Sequence, residues 1–277
     1  MEGSRRSRTI EIPAIMRALH QTLDGEPKIL SDPVAPRLID PDDDREWLTP
    51  LLEHPFARQW RAGFALRARY AEDCLAERAR AGDLKQYVIL GAGLDTFAYR
   101  QPEWARILQI YEVDEPSTQN WKRERLTAAS IAVPSNTTFV TIDFEKTSIP
   151  NALESAGLDR GVPTVCSWMG VTQYLTPAAL DGVFAFVLSL PRSSEIVFSF
   201  IVSEDVLSGV VDDDVMSTVE REALALAADK AADVGEPWLS RFHPGALVGK
   251  LQSMGFSRVS RLTPEEAHDR YFANRDD

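Results

Sequence analysis

The sequence contains little cysteine and little histidine, with two and four residues of these types among 277. Cys74 lies in a helical pattern and Cys166 in an apolar strand pattern, so both are predicted to be core thiols, which suits a reducing cytoplasm. Neither a His-Glu-x-x-His motif nor paired cysteines occur, and we therefore predict no metal site.

Long hydrophobic runs are also absent. No apolar stretch approaches the ~18 residues that a membrane-spanning helix requires. Residues 1–8 are basic but lack the apolar core of a secretory signal. The sequence thus predicts a cytoplasmic protein with no membrane partner.

Basic residues are outnumbered, because 30 Lys and Arg accompany 42 Asp and Glu and give a formal net charge of −12. A nucleic-acid partner requires a basic surface, so this balance argues against one. It leaves a small molecule as the expected substrate. The composition does not indicate an oligomeric state.

What the sequence does contain is an alternation of strand and helix patterns from residue 86 onward. Such alternation predicts an α/β fold with a doubly wound, mostly parallel sheet. The predicted strands are 86–91, 107–113, 138–142, 163–168, 195–202 and 256–260, and the predicted helices lie near 95–104, 116–130, 148–157, 176–190 and 243–254.

The length predicts a single domain over residues 1–277, organised in four segments. A helical cap at 11–82 precedes the core at 83–202, which contains most of the strands. An acidic, alanine-rich helical pattern interrupts the alternation and predicts a lid at 203–242. A C-terminal helix and strand follow at 243–277, and the aromatic, basic end of the chain is expected to dock against the body.

The most informative stretch is the apolar strand that runs into Gly91-Ala92-Gly93. A second apolar strand ends at Asp114, 21 residues after Gly93. Glycines let a backbone approach a ligand closely, and an acid at this spacing accepts hydrogen bonds from ribose hydroxyls. The core is therefore predicted to bind a nucleotide-like cofactor.

Two cofactors compete for this glycine turn. A dinucleotide fingerprint requires a third glycine for close packing of the helix on the strand, and position 96 is threonine. S-adenosylmethionine has no pyrophosphate, so a shorter Gly-x-Gly turn suffices. The helical segment before the turn also favours S-adenosylmethionine, although an NAD(P)-dependent oxidoreductase remains the alternative enzyme.

Three motifs resemble the leucine carboxyl methyltransferase family and its bacterial branch of S-adenosylmethionine-dependent O-methyltransferases. They are residues 91–100 (GAGLDTFAYR), 111–116 (YEVDEP) and 170–177 (GVTQYLTP). Weaker similarity extends to Asp32-Pro33, Gly235-Glu236-Pro237 and residues 270–275. The resemblance covers about residues 11–277 and implies a Rossmann-like class I methyltransferase fold. It also implies methyl transfer to a carboxylate or hydroxyl of a small molecule, with natural-product intermediates among the acceptors.

The resemblance also implies a role for individual residues. The glycine turn would line the amino-acid end of the cofactor, Asp114 would bind both ribose hydroxyls, and Asp143 and Phe144 would contact adenine. Arg67 would pair with the methionine carboxylate, with Arg17 as a weaker candidate. The predicted cofactor-binding residues are Arg67, Gly91, Ala92, Gly93, Asp95, Asp114, Asp143, Phe144 and Met169.

Met169 departs from the family pattern, which has a glutamate at this position that contacts the charged methionine end of the cofactor. Methionine cannot pair with an ammonium group, so backbone carbonyl groups would have to replace the acid. This departure keeps one further alternative open, a methyltransferase-like fold that binds ligands without turnover.

Several polar residues also have structural interpretations. Asp95 is at least as well explained as a cap of the following helix as by a ligand contact. The hydroxyl of Tyr174 would either touch the substrate or be satisfied in the core. His243 is predicted to start a helix, Trp168, Trp238 and Phe242 would form either a substrate wall or core, and no residue stands out as a catalytic base.

Overall fold

The computed structural model describes residues 11–39, 49, 53–207, 218–233 and 235–275. Its centre is a sheet of five parallel strands in the order β3-β2-β1-β4-β5. This arrangement confirms the predicted doubly wound sheet. The strands are β1 (Gln86–Leu90), β2 (Gln109–Asp114), β3 (Thr137–Thr141), β4 (Thr164–Trp168) and β5 (Glu195–Phe198).

Strand β1 sends alternate side chains into two hydrophobic cores. Val88 and Leu90 join the larger core with the ring of Trp168, whereas Tyr87 and Ile89 join a second core on the other face of the sheet. Burial on both faces explains why the strand is a continuous apolar run rather than an alternating pattern.

Helices cover both faces of the sheet and form the cap. The cap helices α1 and α3 pack against each other, and Asp24 joins them by accepting hydrogen bonds from His20 and from Arg61. The helices are α1 (Glu11–Leu23), α2 (Ala35–Leu38), α3 (Ala57–Ala79), α4 (Pro116–Ala128), α5 (Ile149–Ser155), α6 (Pro177–Leu188), α7 (Glu204–Leu207), α8 (Thr218–Asp233), α9 (Pro244–Met254) and α10 (Pro264–Ala267).

The order of the strands locates the ligand crevice. The chain runs outward from β1 to β2 and β3 on one side, and from β4 to β5 on the other. Open α/β sheets bind ligands beyond the carboxyl ends of the strands at such a reversal. Gly91 follows β1 and Met169 follows β4, so these two residues flank the crevice.

The predicted helix at 95–104 is wrong. Two short 3₁₀ turns, Phe97–Tyr99 and Glu103–Ile107, replace it. Pro102 disfavours helical backbone at Gln101, and the buried Phe97 and Ala98 fix the first turn in the core. The glycine turn therefore lacks the long helix that the sequence predicts behind it.

The predicted strand at 256–260 is also wrong, because these residues pair with no described strand. Strand β5 ends at Phe198, earlier than predicted, although an isolated bridge joins Val202 to Phe242. Alternation predicts an extended backbone but cannot supply the neighbour that a strand requires.

The predictions of a lid and of a docked C-terminal end concern segments outside the sheet. Part of the predicted lid lies outside the described residues. Its described part consists of α7, α8 and the residues at 203 and 235–242. The C-terminal end does dock on the body, because the Tyr271 hydroxyl donates to Asp73 of α3 at 2.9 Å. In the portions of the chain that the structure describes, no helix combines the length and apolarity that crossing a membrane requires.

Candidate functional site

A cavity of about 470 Å³ opens at the reversal of the sheet, and we refer to it as the cofactor cavity. The nine predicted site residues all line it, although they come from α3, the turn after β1, the end of β2 and the loops after β3 and β4. Their common location is a finding of the structure, whereas their individual ligand roles stay predictions. The nine are Arg67, Gly91, Ala92, Gly93, Asp95, Asp114, Asp143, Phe144 and Met169.

The glycine turn has a conformation that only glycine accepts readily. Gly91 and Gly93 have φ angles of 65° and 45°, in the region that residues with a Cβ atom avoid. A Cβ atom on Gly91 would also collide with Cγ2 of Val171. The turn therefore exposes bare backbone to the cavity.

Asp114 connects this turn to the end of β2. Its Oδ2 accepts a hydrogen bond from Gly93 N at 2.6 Å, and its Oδ1 accepts one from Glu115 N at 2.7 Å. Burial raises the pKa of the Asp114 carboxyl, and the two backbone N–H donors partly offset that rise. Each oxygen keeps further acceptor capacity for a ligand hydroxyl.

Asp143 and Phe144 follow β3 at the same side of the cavity. Asp143 accepts hydrogen bonds from Glu145 N at 2.9 Å and from Lys146 Nζ at 2.7 Å, and this lysine lowers the pKa of its carboxyl. The Phe144 ring packs against Trp168 with ring centroids 6.3 Å apart. The pair presents an acceptor and an aromatic face side by side.

Arg67 points into the cavity from α3 and has no acidic partner among the described residues. Its guanidinium lies 4.4 Å from the centre of the Phe64 ring, and a Cβ atom on Gly170 would stand only 2.8 Å from its terminal nitrogens. Burial, assisted by the charge of Arg17, lowers the pKa of Arg67 to about 9. It is a cation at neutral pH that has no counter-charge in the part of the chain that the structure describes.

Arg17 also lines the cavity, but its guanidinium already interacts with other groups of the protein. It donates to the carbonyl oxygen of Leu94 at 2.6 Å and lies 3.4 Å from Asp32. Asp32 is fully buried and accepts hydrogen bonds from Thr96 Oγ1 at 2.6 Å and from Ala35 N at 3.0 Å. This group of contacts fastens the cap behind the glycine turn.

Asp95 caps the first 3₁₀ turn. Its Oδ1 accepts a hydrogen bond from Phe97 N at 2.8 Å. Asp95 is therefore a cap, as one of its two interpretations predicted, but of a 3₁₀ turn rather than of an α-helix. The residue still lines the cavity. A ligand contact by Asp95 remains a prediction.

The aromatic and histidine candidates separate into core and cavity. Trp168 is fully buried in the main core, and the Phe242 ring packs against Phe200. His243 accepts a hydrogen bond from Ala246 N and starts α9, as predicted. Tyr174 lines the cavity and acts electrostatically on Arg67.

Met169 is half-buried and lines the cofactor cavity beside the end of β4. Together with Arg67 it also lines a wider cavity of about 1660 Å³ beside β5. Phe198, Phe200 and Leu247 contribute apolar surface to this wider cavity. The cofactor cavity and the wider cavity therefore border each other at the side chains of Arg67 and Met169.

Sequence reasoning missed several cavity residues. Glu72 lines the cavity and pairs with Arg100, and Glu236 reaches the same cavity from the segment after α8. The motif Gly235-Glu236-Pro237 could have drawn attention to Glu236, since it contributes to the family resemblance. The local sequence does not indicate, however, that its side chain lines the cofactor cavity.

Comparison with known proteins gives one family match. A family model described as leucine carboxyl methyltransferase matches residues 10–188. Among curated proteins, YktD of Bacillus subtilis (strain 168) is 35% identical over 212 residues, which cover 76% of this chain and 66% of that protein. Rv1729c of Mycobacterium tuberculosis (strain ATCC 25618 / H37Rv) is 33% identical over 141 residues, which cover 51% and 44%.

Both relatives carry names of the S-adenosyl-L-methionine-dependent methyltransferase class. The matched region spans less than two thirds of the length of each of these relatives.

Solved structures give weaker matches. A DUF574 family protein from Streptomyces avermitilis has a TM-score of 0.49 and 17% identity, covering 84% of this chain and 80% of that chain. An O-methyltransferase family protein from Burkholderia thailandensis has a TM-score of 0.44 and 13% identity, covering 83% and 68%. The description of the fold therefore rests on the strand order observed in this chain.

Proposed function

The chain belongs to the leucine carboxyl methyltransferase family, and on that premise we propose that it is an S-adenosyl-L-methionine-dependent methyltransferase acting on an oxygen of a small molecule. One observation carries the proposal. Residues from five separate segments, each with a predicted cofactor contact, line one cavity at the reversal of the sheet. Ligand sites of this fold class occur at such a reversal.

The cavity suits this cofactor in size and in charge. Its volume of about 470 Å³ lies within the ~300–1,000 Å³ range of small-molecule sites. Asp114 retains acceptor capacity for the two ribose hydroxyls. Arg67, a cation without an acidic partner among the described residues, would receive the methionine carboxylate through two parallel hydrogen bonds.

The structure also bears on the alternative cofactor. Dinucleotide sites hold the pyrophosphate at the N-terminus of the helix that follows the glycine turn. In this chain the three-residue 3₁₀ turn Phe97–Tyr99 occupies that position. This difference supports S-adenosyl-L-methionine over NAD(P).

The protein's contribution to methyl transfer would be positional. S-adenosyl-L-methionine supplies a methyl group that its sulfonium sulfur has already activated. The glycine turn, Asp114 and Arg67 would hold the donor, while the described parts of the cap (11–82) and of the lid (203–242) would enclose the acceptor and exclude water. Ala14 and Ala71 from the cap and Pro237 and Leu239 from the lid line the cavity in support of this division.

We place the acceptor where the two cavities meet, because Arg67 and Met169 border both. A carboxylate acceptor is already anionic near neutral pH and needs no base, whereas a hydroxyl acceptor needs one. The proposal covers both, with natural-product intermediates as the first acceptors to test.

Calorimetry with S-adenosyl-L-methionine and its demethylated product, S-adenosylhomocysteine, tests the proposal. We expect saturable binding of both, and no comparable binding of NADH. Absence of binding at millimolar ligand, with circular dichroism showing a folded protein, would refute the proposal. Binding without transfer to any acceptor in a broad carboxylate and hydroxyl panel would favour the non-catalytic binding protein.

A further inference from the structure

One side of the sheet ends in a strand that has a single neighbour. Strand β5 pairs with β4 along one edge, and its other edge pairs with no strand that the structure describes. Every residue of β1 and β4 is buried, whereas Ile196, Val197 and Phe198 of β5 are only half-buried. An apolar edge strand presents a row of unpaired N–H and C=O groups, which natural proteins usually cover.

The wider cavity lies along this edge. Its lining includes two uninterrupted stretches of chain, residues 190–200 around β5 and residues 254–264 after α9. Within the described ranges, no backbone hydrogen bond involves residues 257–262. Phe256 anchors this second stretch, because its ring packs against Phe184 with ring centroids 6.1 Å apart. Two lengths of backbone with unpaired groups therefore border one space, which we call the slot.

Helices form the two remaining walls of the slot. Each helix lines it with one face, because the lining residues are three or four positions apart. They are Leu66, Tyr70 and Cys74 of α3 and Leu247, Leu251 and Met254 of α9. Leu75 of α3 packs in the core on one face of the sheet, and Leu251 of α9 packs in the core on the other face. The slot thus continues the plane of the sheet beyond β5, between two helices.

We propose that the slot receives an extended strand of a separate polypeptide, which pairs with β5 on one side and with residues 257–262 on the other. Main-chain groups on both sides select an extended backbone, as in other cases of strand addition to an open sheet edge. A small amphiphile would fill the space but would leave the backbone groups of both edges unpaired.

The helix faces define the side chains of this strand. Successive residues of a strand point to opposite faces of the sheet, where α3 and α9 present mostly apolar surface. The incoming strand is therefore apolar at successive positions, like the strands that are buried on both faces. The inference goes beyond the proposed function and does not depend on cofactor binding.

Hydrogen exchange with a synthetic peptide tests the proposal. The probe has five valines between paired lysines at each end, and its control has proline at alternate valine positions, which removes strand N–H donors. We expect alternate amides of residues 195–198 and 257–262 to exchange about tenfold more slowly when the valine peptide is about tenfold above its Kd. The proline peptide should protect neither segment.

Two neighbouring variants, Val259→Pro and Ser260→Pro, test the outer edge of the slot. Successive N–H groups of a strand point in opposite directions, so only one of the two prolines removes a donor to the slot. We expect one variant to weaken peptide binding at least about tenfold and the other to leave it nearly unchanged. The urea midpoint of the free protein should stay the same in both, because no described backbone hydrogen bond involves these residues.

Several results would overturn the proposal. They are absence of protection by the valine peptide, equal protection by the proline peptide, and protection by dodecanoate alone. Equal peptide binding by both proline variants and the wild type would exclude residues 257–262 as a pairing edge. Slow exchange of 195–198 in the free protein would show that the chain itself closes the slot, and protection that rises with protein concentration would assign the slot to a second copy.

Discussion

The two ends of the cofactor cavity balance their charges in opposite ways. At the acidic end, Asp114 is held by two backbone N–H groups, at 2.6 and 2.7 Å, which keep the carboxylate in place without cancelling its charge. At the basic end, Arg67 has an aromatic ring and a glycine beside it, but no acid among the described residues.

This difference indicates how the site recognises its ligand. The acidic end is organised before the ligand arrives, because neutral backbone donors fix an acceptor for hydroxyl groups. The basic end holds a desolvated charge that a ligand carboxylate would neutralise. Binding energy at the two ends should therefore respond differently to mutation and to pH.

The largest effect is expected at Asp32, the buried carboxylate behind the glycine turn. Asp32→Asn weakens the ionic contacts with Arg17 and Arg100 behind the glycine turn. Because a broken buried ionic contact leaves an uncompensated charge, the free energy of unfolding should fall by about 3–5 kcal/mol. Urea denaturation measures it.

The exposed pair of Glu154 and Arg160 provides the control for this experiment. Glu154→Gln should change the unfolding free energy by less than about 1 kcal/mol. Equal stabilities of the Asp32 and Glu154 variants would show that the buried network contributes little.

At the acidic end, Asp114→Ala should reduce affinity for S-adenosyl-L-methionine about 100-fold, since two charge-assisted hydrogen bonds to ribose are lost. Calorimetry measures the change, with Glu103→Ala, an exposed acid that pairs with Arg106, as control. Undiminished affinity would refute the ribose role of Asp114.

At the basic end, Arg67→Met should weaken S-adenosyl-L-methionine binding about 10- to 30-fold because the carboxylate loses a bidentate partner. Methylthioadenosine, which has no carboxylate, should bind as before. The free energy of unfolding should not fall, because the variant removes a cation that lacks a described counter-charge. A clear loss of stability would show that Arg67 is structural.

Acidification should distinguish the two ends further. Burial raises the pKa of Asp114 above its ordinary 3.8, so its ionised form is lost at a higher pH than for an exposed aspartate, and cofactor affinity should fall there. The charge of Arg67 does not change in this range. Affinity measured from neutral pH down to the limit of folding should show this decline in the wild type and not in Asp114→Asn.

The same pKa shift has a stability consequence of defined sign. A carboxyl whose folded-state pKa is raised stabilises the fold when protonated, and this contribution is lost as pH rises through the folded-state pKa. Asp114 thus costs stability at neutral pH in the ligand-free protein, which fits a residue retained for binding.

The smallest effect is expected for Met169→Glu in the otherwise wild-type protein. An acid at this position should tighten S-adenosyl-L-methionine binding about threefold, because a partly solvated ion pair with the cofactor ammonium group contributes less than ~1 kcal/mol. Calorimetry with S-adenosylhomocysteine checks that the gain follows the ammonium group. A tenfold or larger gain would indicate that the basic end has no acid of its own.

Much of the site was predictable from local sequence. The glycine turn and Asp114 could be located because they sit at the ends of apolar strands, and strand ends converge in a parallel sheet. Arg67 and Asp143 required the resemblance to a family, since an arginine on a helix and an acid after a strand are common surface features.

The failed predictions share a physical cause. Residues 95–104 have a helical pattern, yet a buried phenylalanine and Pro102 hold them in short turns. Residues 256–260 alternate like a strand, but strands exist only by pairing, and no described strand pairs with them. A local sequence pattern does not show which distant residues will pair with a segment or pack against it.

By itself, the sequence determined the doubly wound sheet and the position of the glycine turn, because hydrophobic periodicity and glycine conformation are local properties. Only the tertiary structure decided which charges are matched. It committed Arg17 to Leu94 and Asp32, left Arg67 without an acidic partner among the described residues, and brought Glu236 to the cofactor cavity. Charge balance depends on distances between segments far apart in the chain, and folding alone sets those distances.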